Sequence, residues 1–117
     1  MPAFALAHLR TPQINDDIIE YLERIQATLE PYQGRFRVHG PTVEVIEGEW
    51  PGSLVIIEFP DTERARSWYA SPAYQEILPL RLRHIEGSAI IVDGVAEDYD
   101  PARRAAHFRE AVQLLAD

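Results

Sequence analysis

The stretch from Leu54 to Gly94, LVIIEFPDTERARSWYASPAYQEILPLRLRHIEGSAIIVDG, decides the fold of this chain. Its first six residues are apolar on both faces apart from one glutamate, which indicates a central strand that is covered on both sides. Asp61 and Ser71 each stand where an N-cap is expected, so two helical segments should follow this strand. Residues 89–92 form a second apolar strand. The stretch therefore predicts one strand–helix–strand half of a domain.

The residues before this stretch predict a second half of the same kind. Residues 3–10 alternate in the manner of a strand, and an amphipathic helix follows because its apolar residues recur every three or four positions. These apolar residues are Ile18, Leu22, Ile25 and Leu29. Residues 35–39 alternate polar and apolar, and the pattern resumes over residues 42–47. Since Gly40 and Pro41 interrupt it, we expect a broken edge strand.

The predicted order is strand, helix, strand, strand, helix, strand. Right-handed crossovers then favour an α+β fold of the ferredoxin-like βαββαβ type, with a four-stranded antiparallel sheet and both helices on one face. The other face of the sheet would be bare over roughly 400 Å². Exposed apolar areas of that size usually mark an interface, so we expect a homodimer that packs sheet to sheet.

The last part of the chain predicts an additional helix. Asp100 and Pro101 suit a helix start, and one apolar stripe follows. The stripe consists of Ala105, Phe108, Val112 and Leu115. We therefore divide the chain into a ferredoxin-like domain, residues 1–94, and a helical extension, residues 95–117, that packs on the domain or on its dimer mate.

Composition excludes several classes of function. The 117 residues include no cysteine and no lysine, which excludes thiol chemistry, disulfides and a lysine Schiff base. A net charge of −8 argues against binding to nucleic acid, which requires a basic face. No apolar run is long enough to span a membrane and no secretory signal is present, so we expect a cytoplasmic protein.

The histidines give no sign of a metal site. None of His8, His39, His84 and His107 pairs with another at the spacing that metal ligands show. The sequence also lacks the glycine-rich motifs that hold nucleotides. We therefore expect neither a metal nor a cofactor.

Several segments together resemble the family called domain of unknown function 1330 (DUF1330). The segments are residues 54–59, 65–74, 78–81 and 91–94, with Gly34-Arg35-Phe36 and the Glu47–Trp50 turn upstream. The resemblance implies a ferredoxin-like fold of the dimeric α/β-barrel superfamily, and no established reaction. The chain departs from the family pattern in having His39-Gly40-Pro41 where a pair of glycines is expected. The helix from Pro101 onward is an addition.

Two residues are candidates for acid–base chemistry. Glu58 is an ionisable group inside an apolar strand, where burial would raise its pKa and make it a general acid or base. Alternatively it forms an ion pair with an arginine such as Arg81 and is structural. His39 ends a strand beside a glycine, with Arg35 and Arg37 on its face, and is the histidine best placed to line a pocket.

Four further residues are candidates for binding a ligand: Trp68, Tyr69, Tyr74 and Arg81. Tyr74 and Arg81 are seven residues apart and share one side of a helix, provided that Pro79 does not rotate it. They could line a pocket for a flat, acidic or carbonyl-bearing molecule, with Arg81 binding the anion. The alternative is an aromatic stripe that packs on the sheet as core.

These features leave more than one function open. The first hypothesis is a dimer that binds a small molecule, as a cofactor-free enzyme with Glu58 or His39 as acid and base. The alternative is a non-catalytic dimeric module that serves structure or protein interaction. A haem-dependent enzyme is a third hypothesis.

Overall fold

A computed structural model describes residues 1–40 and 42–116 of the chain. In chain order the elements are β1 (Ala3–Leu9), α1 (Asp16–Leu29), a short 3-10 helix (Glu30–Tyr32), β2 (Arg35–Gly40), β3 (Ser53–Phe59), α2 (Thr62–Ala70), α3 (Pro72–Leu82), β4 (Gly87–Asp93) and α4 (Pro101–Ala116). None of the helices in the described ranges is long and apolar enough to cross a membrane.

The four strands form one antiparallel sheet in the order β2-β3-β1-β4. One face of this sheet carries Ile57 and Phe59, which pack with Ile25 and Leu29 of α1 and with Trp68 of α2 in the core. The predicted ferredoxin-like βαββαβ fold with a C-terminal helix is therefore confirmed.

The predicted caps Asp61 and Ser71, together with Asn15, fix where the first three α-helices begin. Asn15 accepts a hydrogen bond from the backbone N–H of residue 18 through its side chain, Asp61 does the same for residue 64, and Ser71 for residue 74. Such caps satisfy N–H groups that have no partner inside the helix. Helix α3 continues through Pro79 to Leu82, so the proline does not restart it.

Strand β2 contains a β-bulge at Arg37. Phe36 lies opposite Ile57 and Val38 lies opposite Ile56, so Arg37 is the extra residue. A bulge changes which face the following side chains occupy. His39 consequently lies on the same face as Phe36, and the two rings stack with centroids 4.6 Å apart. The expectation that His39 shares a face with Arg35 and Arg37 was wrong.

The predicted continuation of the edge strand over residues 42–47 was also wrong. β2 ends at Gly40, which lies opposite Leu54, and β3 begins only one residue earlier at Ser53. A strand beyond Gly40 would have no neighbour to pair with. Residues 42–52 instead form an exposed connection, called the β2–β3 loop below. Pro41, which was expected to interrupt the strand, lies outside the described residues.

The sheet face opposite the helices is apolar and uncovered in the single chain. Its centre is a row of Leu6, Ile56 and Ile90, which lie side by side on β1, β3 and β4. Ile90 is 57% exposed. We call this surface the open face.

Helix α4 is the predicted extension, and the domain does not cover it. All of its residues are exposed, including the apolar side chains of its predicted stripe. The chain measures 61 × 34 × 23 Å, and its radius of gyration of 17.9 Å exceeds the roughly 13–14 Å expected of a compact chain of this length. Packing of α4 on a dimer mate remains a prediction, and Asp117 lies outside the described residues.

Candidate functional site

A cavity of about 360 Å³ lies between the sheet and the helices. Its floor contains small side chains: Ala5 and Ala7 on β1, and Ala89 on β4. Because these side chains fill little of the space under the helices, the cavity stays open. Ile18 and Ile25 of α1 form part of its wall, so the lining is mainly apolar.

Three aromatic side chains on α2 and α3 form another wall. The Trp68 ring centroid lies 4.2 Å from that of Tyr74, and the Tyr69 centroid lies 5.5 Å from that of Tyr74. Trp68 is 3% exposed and its indole N–H donates a hydrogen bond to Thr28 Oγ1 over 2.9 Å. Tyr69 is partly exposed, which places it at the rim. Trp68 and Tyr74 therefore belong both to the core and to the cavity lining.

A polar cluster interrupts the apolar lining at one place. Arg81 is only 8% exposed, and its guanidinium carbon lies 5.8 Å from the centre of the Tyr21 ring. The hydroxyl oxygens of Tyr21 and Tyr74 are 2.8 Å apart and share a hydrogen bond. All three residues line the cavity. The predicted proximity of Tyr74 and Arg81 is therefore observed, and we call the three residues the Arg–Tyr cluster.

Tyr21 was missed at the sequence level. It lies three residues after Ile18 and four before Ile25, which places it on the buried stripe of α1. This spacing was the available signal. A tyrosine at such a position brings a hydroxyl group into the interior, where it requires a partner.

Burial and proximity set the charges in the Arg–Tyr cluster. Burial raises the pKa of the Tyr21 phenol far above its usual value and Tyr74 adds to the rise, while Arg81 offsets only part of it. Burial alone would lower the pKa of Arg81, but its interactions with Tyr74 and Tyr21 outweigh that effect and raise the pKa. Near neutral pH the cavity therefore contains a cationic guanidinium next to a neutral Tyr21 hydroxyl.

His39 lies at the mouth of the cavity. Its side chain is exposed and, together with Phe36, belongs to the cavity lining. The Phe36 ring stacks on the imidazole and orients it. The structure therefore brings His39 together with Trp68, Tyr74 and Arg81 around one space.

Glu58 lies on the other side of the sheet. It is paired across the strands with Phe4 and Arg35 on the open face, and its carboxylate accepts a hydrogen bond from Arg37 Nε over 3.1 Å. The suggested partner Arg81 was wrong, because Arg81 belongs to helix α3 and lines the cavity on the opposite side of the sheet.

The described ranges contain no group of three or more histidine, cysteine, aspartate or glutamate side chains that could hold a metal ion. The chemistry that the cavity offers is therefore that of one cation, phenolic hydroxyls, an imidazole and aromatic faces.

The fold and the cavity define a ferredoxin-like α+β protein with an internal site under its helices. The DUF1330 model, described as a domain of unknown function, matches residues 2–95. The chain thus belongs to the DUF1330 family, as the sequence resemblance indicated. The match ends before α4. No curated protein matches the chain.

Solved structures with the same fold come from several bacteria. A dimeric ferredoxin-like protein of unknown function from Jannaschia sp. CCS1 shares 15% identity with a TM-score of 0.64, over 80% of this chain and all of that one. A protein of unknown function from Rhodopseudomonas palustris shares 16% identity with a TM-score of 0.61, over 81% and 83% of the two chains. SnoaB, a cofactor-independent oxygenase from Streptomyces nogalater, shares 11% identity with a TM-score of 0.58, over 85% and 98%. These similarities show the fold alone.

Proposed function

We propose that the protein binds a small, flat, largely apolar molecule in the cavity, with an anionic or carbonyl oxygen held by Arg81. The observation that supports this is the unbalanced charge of Arg81. Among residues 1–40 and 42–116, no carboxylate lies within 4 Å of its guanidinium. A buried cation without an anionic partner is costly. A ligand anion would supply that partner through charge-assisted hydrogen bonds.

The shape and lining of the cavity suggest the class of ligand. A volume of about 360 Å³ falls at the small end of ligand pockets, which suits a molecule of one or two rings. Trp68 and Tyr74 offer aromatic faces, and Tyr21 offers a neutral hydroxyl next to the cation. An aromatic carboxylate, phenolate or enolate matches this arrangement.

The same residues would support cofactor-free catalysis. Arg81 would stabilise a negative charge that develops on a substrate oxygen, and His39 at the mouth would accept or donate a proton. The similarity in fold to a cofactor-independent oxygenase favours cofactor-free catalysis by analogy. Glu58 is not included in the proposed site, because it lies on the open face.

We also propose that the functional form is a homodimer that buries the open face. The apolar row of Leu6, Ile56 and Ile90 supports it, as does the dimeric state of the ferredoxin-like protein from Jannaschia sp. CCS1. A dimer without catalysis is the second candidate function. The uncovered helix α4 favours that candidate, since such a helix offers an interaction surface.

Binding of 2-naphthoate, a flat aromatic carboxylate, tests the proposal by calorimetry and by quenching of tryptophan fluorescence. Arg81→Met should weaken binding by roughly 10- to 100-fold, because a hydrogen bond to a charged group contributes about 1.5–3 kcal/mol. Arg66→Met, at an exposed position of α2, is the matched control and should leave the affinity unchanged.

Two outcomes would contradict the proposal. The first is equal binding of 2-naphthoate and of neutral 2-methylnaphthalene by the wild-type protein. The second is an Arg81→Met protein that stays folded by circular dichroism and binds 2-naphthoate as tightly as the wild type does.

A further inference from the structure

Helix α4 has a narrow apolar surface with no partner in the single chain. Ala105, Phe108, Val112 and Leu115 recur at spacings of three, four and three residues, the spacing of a seam between packed helices. Phe108 is 54% exposed and Leu115 is 89% exposed. We call this surface the α4 seam. A seam of this kind is stable in water only when another surface covers it.

Arginines flank the α4 seam. Arg104 and Arg109 lie on either side of it, and the Arg104 guanidinium carbon lies 5.6 Å from the centre of the Phe108 ring. In a parallel pair of α4 helices, Arg104 of one helix would face Arg109 of the other. Like charges at such positions disfavour that pairing. The seam therefore suits an apolar surface with acidic borders.

The β2–β3 loop has those properties. Val45 and Ile46 are exposed, Ile46 by 88%, and the exposed carboxylates of Glu44, Glu47 and Glu49 surround them. This loop carries three acids and no base, whereas α4 carries three arginines and one glutamate. The α4 seam and the β2–β3 loop are thus both exposed and apolar, and they carry opposite charge.

The base of the β2–β3 loop is held in place by β1. The His8 ring stacks on Trp50 with centroids 4.0 Å apart, and His8 Nε2 lies 2.6 Å from the carbonyl oxygen of Pro51. A loop that is fixed at its base presents its apolar residues at a lower entropic cost of binding.

The topology separates the two surfaces within one chain. β4 ends at Asp93, which lies opposite Ala3, whereas the β2–β3 loop joins β3 at Ser53 at the other end of the sheet. Strands of seven residues span about 23 Å. Residues 96–99 form a turn, closed by a hydrogen bond from the Tyr99 N–H to the Ala96 carbonyl, and the helix beyond it is uncovered. We therefore infer that the surface covering the α4 seam belongs to a second copy of the chain.

We propose that the α4 seam of one protomer packs on the β2–β3 loop of a second protomer, and that the arginines flanking the seam bind the glutamates of that loop. The exchange is reciprocal, because a two-fold dimer forms each contact twice. This inference rests on the proposed homodimer and adds the contact that covers α4.

Disulfide mapping tests the contact directly, since the natural chain contains no cysteine. Protein with Ile46→Cys is mixed with tagged protein that carries Val112→Cys, and the mixture is oxidised mildly. A covalent species with one chain of each kind is expected on a non-reducing gel. Glu110→Cys, on the opposite face of α4, replaces Val112→Cys in the matched control and should yield at least tenfold less of that species.

Charge reversal provides the second measurement. Arg104→Glu with Arg109→Glu in the chain that carries Val112→Cys should lower the yield of mixed species severalfold. Glu44→Arg with Glu47→Arg in the partner chain should restore it. A yield that does not respond to either change would overturn the role of the arginines and glutamates.

The remaining outcomes separate this inference from the proposed dimer. Sedimentation as a dimer without the mixed species, or with a Val112→Cys pair as the main product, would overturn the contact and leave the sheet-to-sheet dimer standing. Sedimentation as a monomer would overturn both proposals. A disulfide formed within a single chain that carries both cysteines would show that α4 packs on the β2–β3 loop of its own chain, and would overturn the contact between protomers.

Discussion

Arg81 shows how one buried residue connects the core of this protein to its chemistry. Its guanidinium lies beneath the helices, and the hydroxyls of Tyr21 and Tyr74 compensate part of its lost hydration. Tyr21 is a neutral partner because its pKa is raised, and no carboxylate of the described residues lies within 4 Å of the guanidinium, so the positive charge is not cancelled. A small molecule with an oxygen anion would complete the arrangement that the side chains leave open.

The Arg–Tyr cluster predicts how stability depends on pH. Because the pKa of Tyr21 is raised in the folded protein, its contribution to stability is complete below about pH 10, the pKa of an unfolded tyrosine, and is lost above it. The free energy of unfolding should then fall with a slope of up to about 1.4 kcal/mol per pH unit from this residue.

Urea denaturation between pH 8 and 11 measures this slope. Tyr21→Phe should make the alkaline slope shallower, even though it also removes the hydrogen bond to Tyr74. Tyr99→Phe, at an exposed position, should keep the wild-type slope. The chain has no lysine and no cysteine, so tyrosines dominate the titration in this range. An unchanged slope in Tyr21→Phe would show that burial does not hold this phenol neutral.

Single residues were only partly predictable from the sequence. The spacing of seven between Tyr74 and Arg81 placed them together correctly, because helix α3 continues past Pro79. The face of His39 was not predictable in this way. It depends on the bulge at Arg37, and a bulge changes the side of the sheet that the following side chains occupy without leaving a clear mark in the hydrophobic pattern.

At the scale of elements, the connection between β2 and β3 depends on glycines. Gly48 and Gly52 both have positive φ angles, 74° and 89°. They differ in their surroundings. A Cβ atom at residue 48 would meet nothing within 4 Å, whereas one at residue 52 would lie 1.8 Å from the carbonyl oxygen of Leu9.

This difference yields a matched pair of variants. Gly48→Ala should destabilise the protein by about 1 kcal/mol, the cost of a left-handed backbone for an ordinary residue. Gly52→Ala should cost about 3 kcal/mol or more, because the loop or β1 must also move to relieve the overlap. Chemical denaturation measures both values. Equal losses of stability in the two variants would mean that the backbone at Leu9 moves away from the new methyl group at little energetic cost.

The whole fold was the most predictable feature. Alternation over β1, the apolar run of β3, helical periodicity over α1 and the caps at Asp61 and Ser71 all indicated the same βαββαβ order. A fold is predictable when local signals of this kind agree with one another. The cavity could not be predicted from the sequence. Its volume depends on how far α1 and α3 lie above Ala5 and Ala7, and a linear pattern carries no such distance.

A substitution on the open face tests whether the protein assembles into the proposed dimer. Ile56→Arg places a charge within the apolar row that the proposed dimer buries, so the protein should sediment as a monomer at micromolar concentration. Ile19→Arg, at an exposed position of α1, is the control and should not change the mass. A variant Ile56→Arg that stays dimeric would place the interface elsewhere.

The alanine floor of the cavity has a consequence for how such a protein could diversify. Ala5, Ala7 and Ala89 form the floor of the cavity, on strands β1 and β4, whereas Arg81 reaches it from helix α3 on the opposite side. Exchanges between alanine and valine on the floor would reshape the cavity and leave Arg81 in place. In the proposed site, ligand size and ligand charge would thus depend on different elements, and one could change while the other is retained.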